Sequence, residues 1–166
     1  NDGQGGFAIA TALAGLSGPS LKPLGFGTRF LDYDLDMDLD LFVANGHVVD
    51  LIAAADPEQT YAQSNQLFRN EDGTRFADIS SQLGTAFTAA NVGRATATAD
   101  YDNDGDPDLL VTTVASAPRL LRNDGDHHRH WLLVELIAAG HPDALGTRVT
   151  VTANDQLKPR KLRQRT

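Results

Sequence analysis

The residues best suited to chemistry lie in one acidic stretch. Residues 100–108 read Asp-Tyr-Asp-Asn-Asp-Gly-Asp-Pro-Asp, with a carboxylate at every second position and a glycine at position 105. Carboxylates at this spacing, with a glycine that permits a sharp turn, are typical of a loop that encloses a hard cation such as calcium. Without a cation, carboxylates this close together repel one another. The stretch therefore predicts a calcium loop, and a solvated acidic turn is the alternative. The predicted ligands are Asp100, Asp102, Asp104, Asp106 and Asp108.

The same pattern occurs earlier in the chain. Residues 32–40 read Asp-Tyr-Asp-Leu-Asp-Met-Asp-Leu-Asp, so Met37 stands where the other loop has Gly105. A side chain at that position must tolerate a left-handed backbone or change the turn, at a cost of roughly 1 kcal/mol. We therefore expect this first loop to bind calcium more weakly than the second. Its predicted ligands are Asp32, Asp34, Asp36, Asp38 and Asp40.

The composition allows a folded core and argues against a nucleic-acid partner. The length of 166 residues fits one domain or one and a half, and the hydrophobic content of 41% is enough for a core. The formal charge of −8 is concentrated, because ten of the 22 acidic residues lie in the two loops. The basic residues near the C-terminal end lack interleaved aromatic residues, which favours a solvated tail. Cysteine is absent from the sequence, so disulfides and thiol chemistry are excluded.

The sequence contains neither a signal peptide nor an apolar run long enough to span a membrane, so we expect no membrane span. The chain begins with Asn1 rather than methionine. This start predicts a processed protein or a piece of a longer one.

An internal repeat organises the predicted strands. Asp32 and Asp100 begin the two loops, and Phe7 and Phe76 follow similar glycine turns, which gives a repeat of 68 to 69 residues. Short β-prone segments enter and leave each loop, so each loop is expected to close a β-hairpin. Four strands per repeat is the period of a β-propeller blade. The predicted strands are residues 7–11, 28–31, 40–44, 65–70, 74–79, 94–99, 108–114 and 118–123.

Finer features follow from local composition. Residues 52–55 are predicted to form one helical turn and residues 80–87 a loop, whereas residues 11–16 fit either a helix or a loop. In the strand over residues 94–99, three alternating alanines predict that a neighbouring backbone approaches closely. These are Ala95, Ala97 and Ala99.

The pattern changes near the C-terminal end. Residues 131–137 are predicted to form a strong strand, and residues 148–152 an alternating strand with Val149 and Val151 on one face. We therefore expect two parts, the calcium-loop repeats over residues 1–126 and a different β segment over residues 127–166.

Several phrases resemble a known family. Phe26-Gly27 before the first loop, and residues 40–46 after it, resemble FG-GAP/VCBS repeat proteins. Residues 131–153, with the phrase over residues 143–149, resemble the start of an ASPIC/UnbV-type segment. His141-Pro142 departs from the usual wording of that segment. The resemblance implies an all-β fold of four-stranded β-propeller-type blades with calcium in the hairpin loops. It also implies a secreted or cell-surface location, as in integrin α-chain heads and cartilage acidic protein-like proteins.

Little in the sequence suggests catalysis. His127, His128 and His130 are either a metal site or, as the extended spacing favours, part of a polar loop. The sequence has no nucleophile elbow and no phosphate-binding glycine loop, so we expect no enzyme. The favoured function is a calcium-stabilised extracellular module that binds or adheres to a protein or glycan. The alternatives are a homo-oligomer or larger assembly formed through exposed strand edges, and part of a repeat-containing enzyme.

Overall fold

A computed structural model of the chain describes residues 5–125 together with residues 131, 132, 134, 136, 149, 150, 152, 153, 156 and 157. Contacts divide the chain into two compact units, Asn1–Trp131 and Leu132–Thr166. The boundary between residues 126 and 127, which the sequence predicts between the repeats and the C-terminal β segment, remains a prediction.

The first unit contains two antiparallel sheets, which confirms the predicted all-β fold. Each sheet begins with a hairpin whose turn is an acidic loop, as expected. Closure into a propeller is not seen in the described residues, so propeller-type blades remain a prediction. The first sheet consists of β1 (Gly25–Leu31), β2 (Asp40–Asn45), β3 (Gln66–Asn70) and β4 (Phe76–Asp78), in that order. The second consists of β5 (Gly93–Ala99), β6 (Asp108–Thr113) and β7 (Arg119–Leu121).

The two sheets share one hydrophobic core. Side chains alternate along each strand, so one face of β2 and one face of β6 turn inward. Phe42 on β2 is wholly buried, and its ring meets that of Phe87 edge-on with centroids 5.7 Å apart. Val111 on β6 is also wholly buried in the same core. The remaining buried members are Leu31, Ala44, Leu67, Ile79, Leu109 and Leu121.

Glycines, not the predicted alanines, let the sheets approach closely. A Cβ on Gly27 would lie 2.7 Å from the carbonyl oxygen of Arg94. The alanines of β5, which are Ala95, Ala97 and Ala99, are exposed on the opposite face. The prediction for the alanines is wrong because alternation along β5 turns Thr96 inward instead.

The segment over residues 7–11 is not a strand, contrary to prediction. Phe7 and Ile9 are 88% and 94% exposed, and none of the described strands pairs with them. A strand requires such a neighbour to satisfy its backbone hydrogen bonds.

Residues 11–15 form a turn, so the helix considered for residues 11–16 does not form. The N–H of Ala14 donates to Ala10 O at 2.8 Å, and Gly15 follows with φ +77°. Ala14 O accepts from Phe76 N at 2.9 Å. This segment therefore lies against the start of the edge strand β4.

Helical turns connect the strands. The predicted turn at 52–55 is confirmed as α1 (Ile52–Ala55). The region 80–87 was expected to be a loop but contains a 3₁₀ turn (Ser80–Gln82) and the start of α2 (Thr85–Thr88). The reason is that Phe87 anchors α2 in the core while Gly84, at φ +77°, separates the two turns.

In the second unit, β8 (Thr152–Ala153) pairs antiparallel with β9 (Gln156–Leu157). A strand is predicted over residues 131–137, but the described residues of this range, 131, 132, 134 and 136, are not in a strand. The strand predicted over residues 148–152 meets β8 only at Thr152, and its residues 149 and 150 are not in a strand. The histidines at positions 127, 128, 130 and 141 and most of the ASPIC/UnbV-like phrase lie outside the described residues.

Candidate metal centres

The first acidic loop brings three carboxylates together. Oxygen atoms of Asp32, Asp34 and Asp40 all lie within 4.8 Å of one another. Asp40 is wholly buried at the first position of β2. Its two oxygens accept hydrogen bonds from Tyr33 N at 3.0 Å and from Asn70 N, at the end of β3, at 2.8 Å. The carboxylate cluster is therefore fixed to its own loop and to the third strand of the sheet.

The second loop repeats this arrangement. Oxygen atoms of Asp100, Asp102 and Asp108 lie within 4.8 Å of one another. Asp108 is 1% exposed and accepts from Tyr101 N and from Asn123 N, both at 2.8 Å. Asn70 and Asn123 each follow an arginine and precede an acidic glycine turn. This shared sequence pattern predicts a turn, but it does not predict a hydrogen bond to a carboxylate cluster.

The other predicted ligands lie outside the two clusters. Asp36 Oδ1 accepts from Asp38 N at 2.8 Å, and Asp104 Oδ1 accepts from Asp106 N at 3.0 Å. Asp36 and Asp104 thus brace the turns in this structure. A ligand role for Asp36, Asp38, Asp104 and Asp106 remains a prediction.

Both loops use left-handed backbone at two positions. In the second loop these are Asn103 (φ +60°) and Gly105 (φ +97°), residue types that adopt this conformation readily. In the first loop they are Leu35 (φ +55°) and Met37 (φ +79°). A left-handed residue with an ordinary side chain costs roughly 1–2 kcal/mol, so the first loop stores more strain. Sequence reasoning anticipated Met37 but missed Leu35, which aligning the two loops places opposite Asn103.

Residues 32–111 match the family model of the FG-GAP-like repeat. This match supports the FG-GAP part of the resemblance, whereas the ASPIC/UnbV-type segment and the likeness to cartilage acidic protein remain predictions. No curated protein and no solved structure matches the chain. The FG-GAP-like repeat begins at the first carboxylate of the first loop and ends in β6, so it includes both carboxylate clusters.

Within the FG-GAP-like repeat, the carboxyl group of Asp40 has a perturbed pKa. Burial raises the pKa of Asp40 to about 6, although the N–H donors of Asn70 and Tyr33 act in the opposite direction. The nearby charges of Asp34 and Asp36 raise the pKa further. Ionising Asp40 in the folded loop therefore costs more free energy than ionising an exposed aspartate, and a positive charge beside it would offset that cost.

The second loop of the FG-GAP-like repeat has an aromatic neighbour. The indole of Trp131 lies against Gly105, in the space that a Cβ at this position would occupy. Any other residue at position 105 would therefore displace the indole as well as strain the turn. The contact spans 26 positions of sequence, which the turn pattern gave no means to anticipate.

A polar cleft of about 680 Å³ opens in the first unit, outside both loops. Its lining includes Gln63, Asn65 and Gln66. Asn65 is 1% exposed, and neither of its amide atoms has a hydrogen-bond partner in the protein.

His47 is the one histidine among the described residues. Its Nδ1 contacts the backbone of Val49 and not the hydroxyl group of a potential nucleophile. The prediction that the protein is no enzyme stays a prediction.

Among the described residues, none of the helices has the length and apolar character that crossing a bilayer requires.

Proposed function

We propose that both acidic loops bind calcium and that the chain is a calcium-stabilised repeat module for binding or adhesion outside the cell. The observation that carries this proposal is the repeated cluster. Two loops, in a stretch that matches the FG-GAP-like repeat, each gather three carboxylates with the same pattern of hydrogen bonds.

The donor set suits calcium. Each cluster offers only carboxylate oxygens, the ligands that hard divalent cations prefer. The oxygens of Asp40 and Asp108 that accept backbone N–H groups retain lone pairs for a cation, since a carboxylate has about four such sites. A bound ion would offset the burial that raises the pKa of Asp40 and would favour its ionised form. Because these two residues begin β2 and β6 and also hold the third strand, calcium would stabilise each sheet.

The proposal extends to architecture and location. We regard the two sheets as neighbouring propeller-type blades, each with its ion in the first hairpin, and we place the protein on the cell surface or in a secreted form. FG-GAP-like repeats of the kind found in extracellular proteins support this assignment. The partner in this proposal is a protein or glycan.

Calcium titration tests the proposal directly. Isothermal calorimetry with calcium, and magnesium as the competing ion, should report two sites on the intact chain. Combining Asp34→Asn with Asp102→Asn, which changes one member of each cluster, should abolish the heat of binding. The matched control, Asp50→Asn, removes a carboxylate outside both loops and should leave it unchanged. Absence of calcium binding by the unmodified chain would refute the proposal.

A second candidate function is assembly, and one observation favours it. Leu110 occupies the position of β6 that Phe42 occupies one repeat earlier, 68 residues away by sequence number. Phe42 is wholly buried, whereas Leu110 is 42% exposed. Leu110 pairs across the sheet with Ala97 and with Leu120, which is 46% exposed. A face that is covered in the first sheet is thus open in the second.

A second copy of the chain could cover this face with its own first sheet, giving a head-to-tail contact. Light scattering at micromolar concentration in calcium should then show a species heavier than the 17.8 kDa monomer. The variant Leu110→Ser should return the protein to the monomer, with Leu51→Ser as a control at an exposed site away from the sheet. A monodisperse monomer of the unmodified chain would rule out assembly through this face.

A further inference from the structure

Asn123 makes a hydrogen bond to each of the two acidic loops. Its backbone N–H donates to Asp108 Oδ1 at 2.8 Å, at the carboxylate cluster of the second loop. Its side-chain amide donates to the carbonyl oxygen of Tyr33 in the first loop at 2.7 Å. One residue just after β7 therefore joins two loops that are far apart in sequence.

The bond to Tyr33 holds the first cluster at its centre. Tyr33 lies between Asp32 and Asp34, two of the three clustered carboxylates. Its N–H donates to Asp40, the third member, at 3.0 Å. The backbone of Tyr33 is thus fixed on one side by its own loop and on the other by the second sheet.

The equivalent residue of the first sheet does not make this connection. Asn70 donates its N–H to Asp40 at 2.8 Å, as Asn123 does to Asp108. Its side chain instead stays local, since Nδ2 donates to Leu39 O at 3.1 Å and Oδ1 accepts from Gly73 N at 2.8 Å. Among the described residues, the connection between loops therefore runs in one direction, from the second sheet to the first loop.

We infer that Asn123 is a positioning residue that couples the two loops, so that calcium at the second loop strengthens binding at the first. The inference rests on the calcium binding proposed above. Calcium would fix Asp108, which fixes the Asn123 backbone and presents its amide to Tyr33. The first loop, with left-handed Leu35 and Met37, gains most from being ordered in advance. Reciprocity requires that calcium at the first loop strengthens the second by the same factor.

The variant Asn123→Ala isolates the connection, because it removes the amide and keeps the backbone N–H to Asp108. Trp131 is the single tryptophan and lies on Gly105, so its fluorescence reports calcium at the second loop. Calorimetry reports calcium binding at both loops. Comparison with the affinity that the tryptophan reports for the second loop therefore gives the affinity of the first. We expect the variant to weaken calcium binding at the first loop roughly two- to tenfold, the range for one net hydrogen bond. The second loop is expected to bind calcium more tightly and to fill first, so the tryptophan midpoint reports binding while the first loop is still empty and should stay unchanged. Ser20→Ala, which removes a 2.7 Å side-chain bond to Leu16 O outside both loops, should change neither.

A double-mutant cycle separates coupling from a structural effect. Asp102→Asn, which disables the second loop, should weaken calcium binding at the first loop of the unmodified chain but have little effect there in the Asn123→Ala background. Amide exchange at Asp34, which shares the peptide group of the Tyr33 carbonyl, should be faster in calcium-free Asn123→Ala and unchanged in Ser20→Ala.

Two outcomes overturn the inference in different ways. If both loops bind calcium and Asp102→Asn has the same effect on the first loop in the two backgrounds, Asn123 does not couple the loops, and the inference is wrong while calcium binding stands. If the unmodified chain binds no calcium, the proposed function and the coupling both fail.

Discussion

Replacing Met37 by glycine should stabilise the first loop. Met37 holds φ +79°, where an ordinary side chain costs roughly 1–2 kcal/mol, and the N–H that it donates to Asp32 is retained in the variant. Glycine also loses more conformational entropy on folding than methionine does, which offsets roughly 0.5–1 kcal/mol of this gain. The net effect on the free energy of unfolding should be a gain of about 0.5–1 kcal/mol, or a melting temperature about 1–4 °C higher.

Scanning calorimetry in saturating calcium measures this change, and calcium titration of the same variant should show tighter binding at the first loop. Met37→Ala is the control, because alanine removes the long side chain but keeps the Cβ that disfavours left-handed backbone. The strain explanation fails if Met37→Ala stabilises the protein as much as Met37→Gly does, or if Met37→Gly lowers the melting temperature.

Removing calcium with EDTA should lower the melting temperature by many degrees, roughly 10–20 °C, because each of the two sites at a calcium concentration of 100 Kd contributes about 2.7 kcal/mol by linkage; an unchanged melting curve would contradict this. Asp104→Ala should destabilise the calcium-loaded protein more than Asp36→Ala, since the loop with Asn103 and Gly105 is the less strained cage, and two sites of equal affinity in calorimetry would count against it. In EDTA the protein should become more stable as the pH falls from 7 to 5, because the folded pKa of Asp40, about 6, lies above the ordinary aspartate value. The stability that Asp40 contributes is fully present below the unfolded pKa of about 3.9 and is lost as the pH rises through the folded pKa. Asp40→Asn should reduce this pH dependence, and an unaltered slope of the unfolding free energy against pH would refute the role of Asp40.

The parts of this structure that the sequence predicts are those governed by local spacing. Alternating carboxylates and β-prone flanks predict both hairpins, since strand period and turn chemistry act over a few residues. Segment 7–11 has the same local character, but no strand in the described part of the chain pairs with it. Local pattern therefore predicts that a strand is favourable but not whether a partner exists.

Long-range contacts account for most of what sequence reasoning missed. The alternation of β5 predicts two faces but does not say which one meets the first sheet. The prediction that Ala97 faces a neighbouring backbone is therefore wrong. The contact of Trp131 with Gly105 and the bond of Asn123 to Tyr33 join residues whose proximity depends on how the sheets pack. Of the candidate site, the carboxylates were predictable and the residues that hold them in place were not.

The shared core has a consequence for how a chain of this kind is divided or extended. Phe42 of the first sheet is buried in a core that includes Leu109 and Val111 of the second. A fragment ending after β4 would expose Phe42 to water, and truncating a buried phenylalanine already costs about 3–5 kcal/mol, a large part of the stability of a typical domain. A single repeat excised by proteolysis or cloned alone should therefore not fold, and duplication of one repeat succeeds only where a neighbouring sheet is present to receive its inner face.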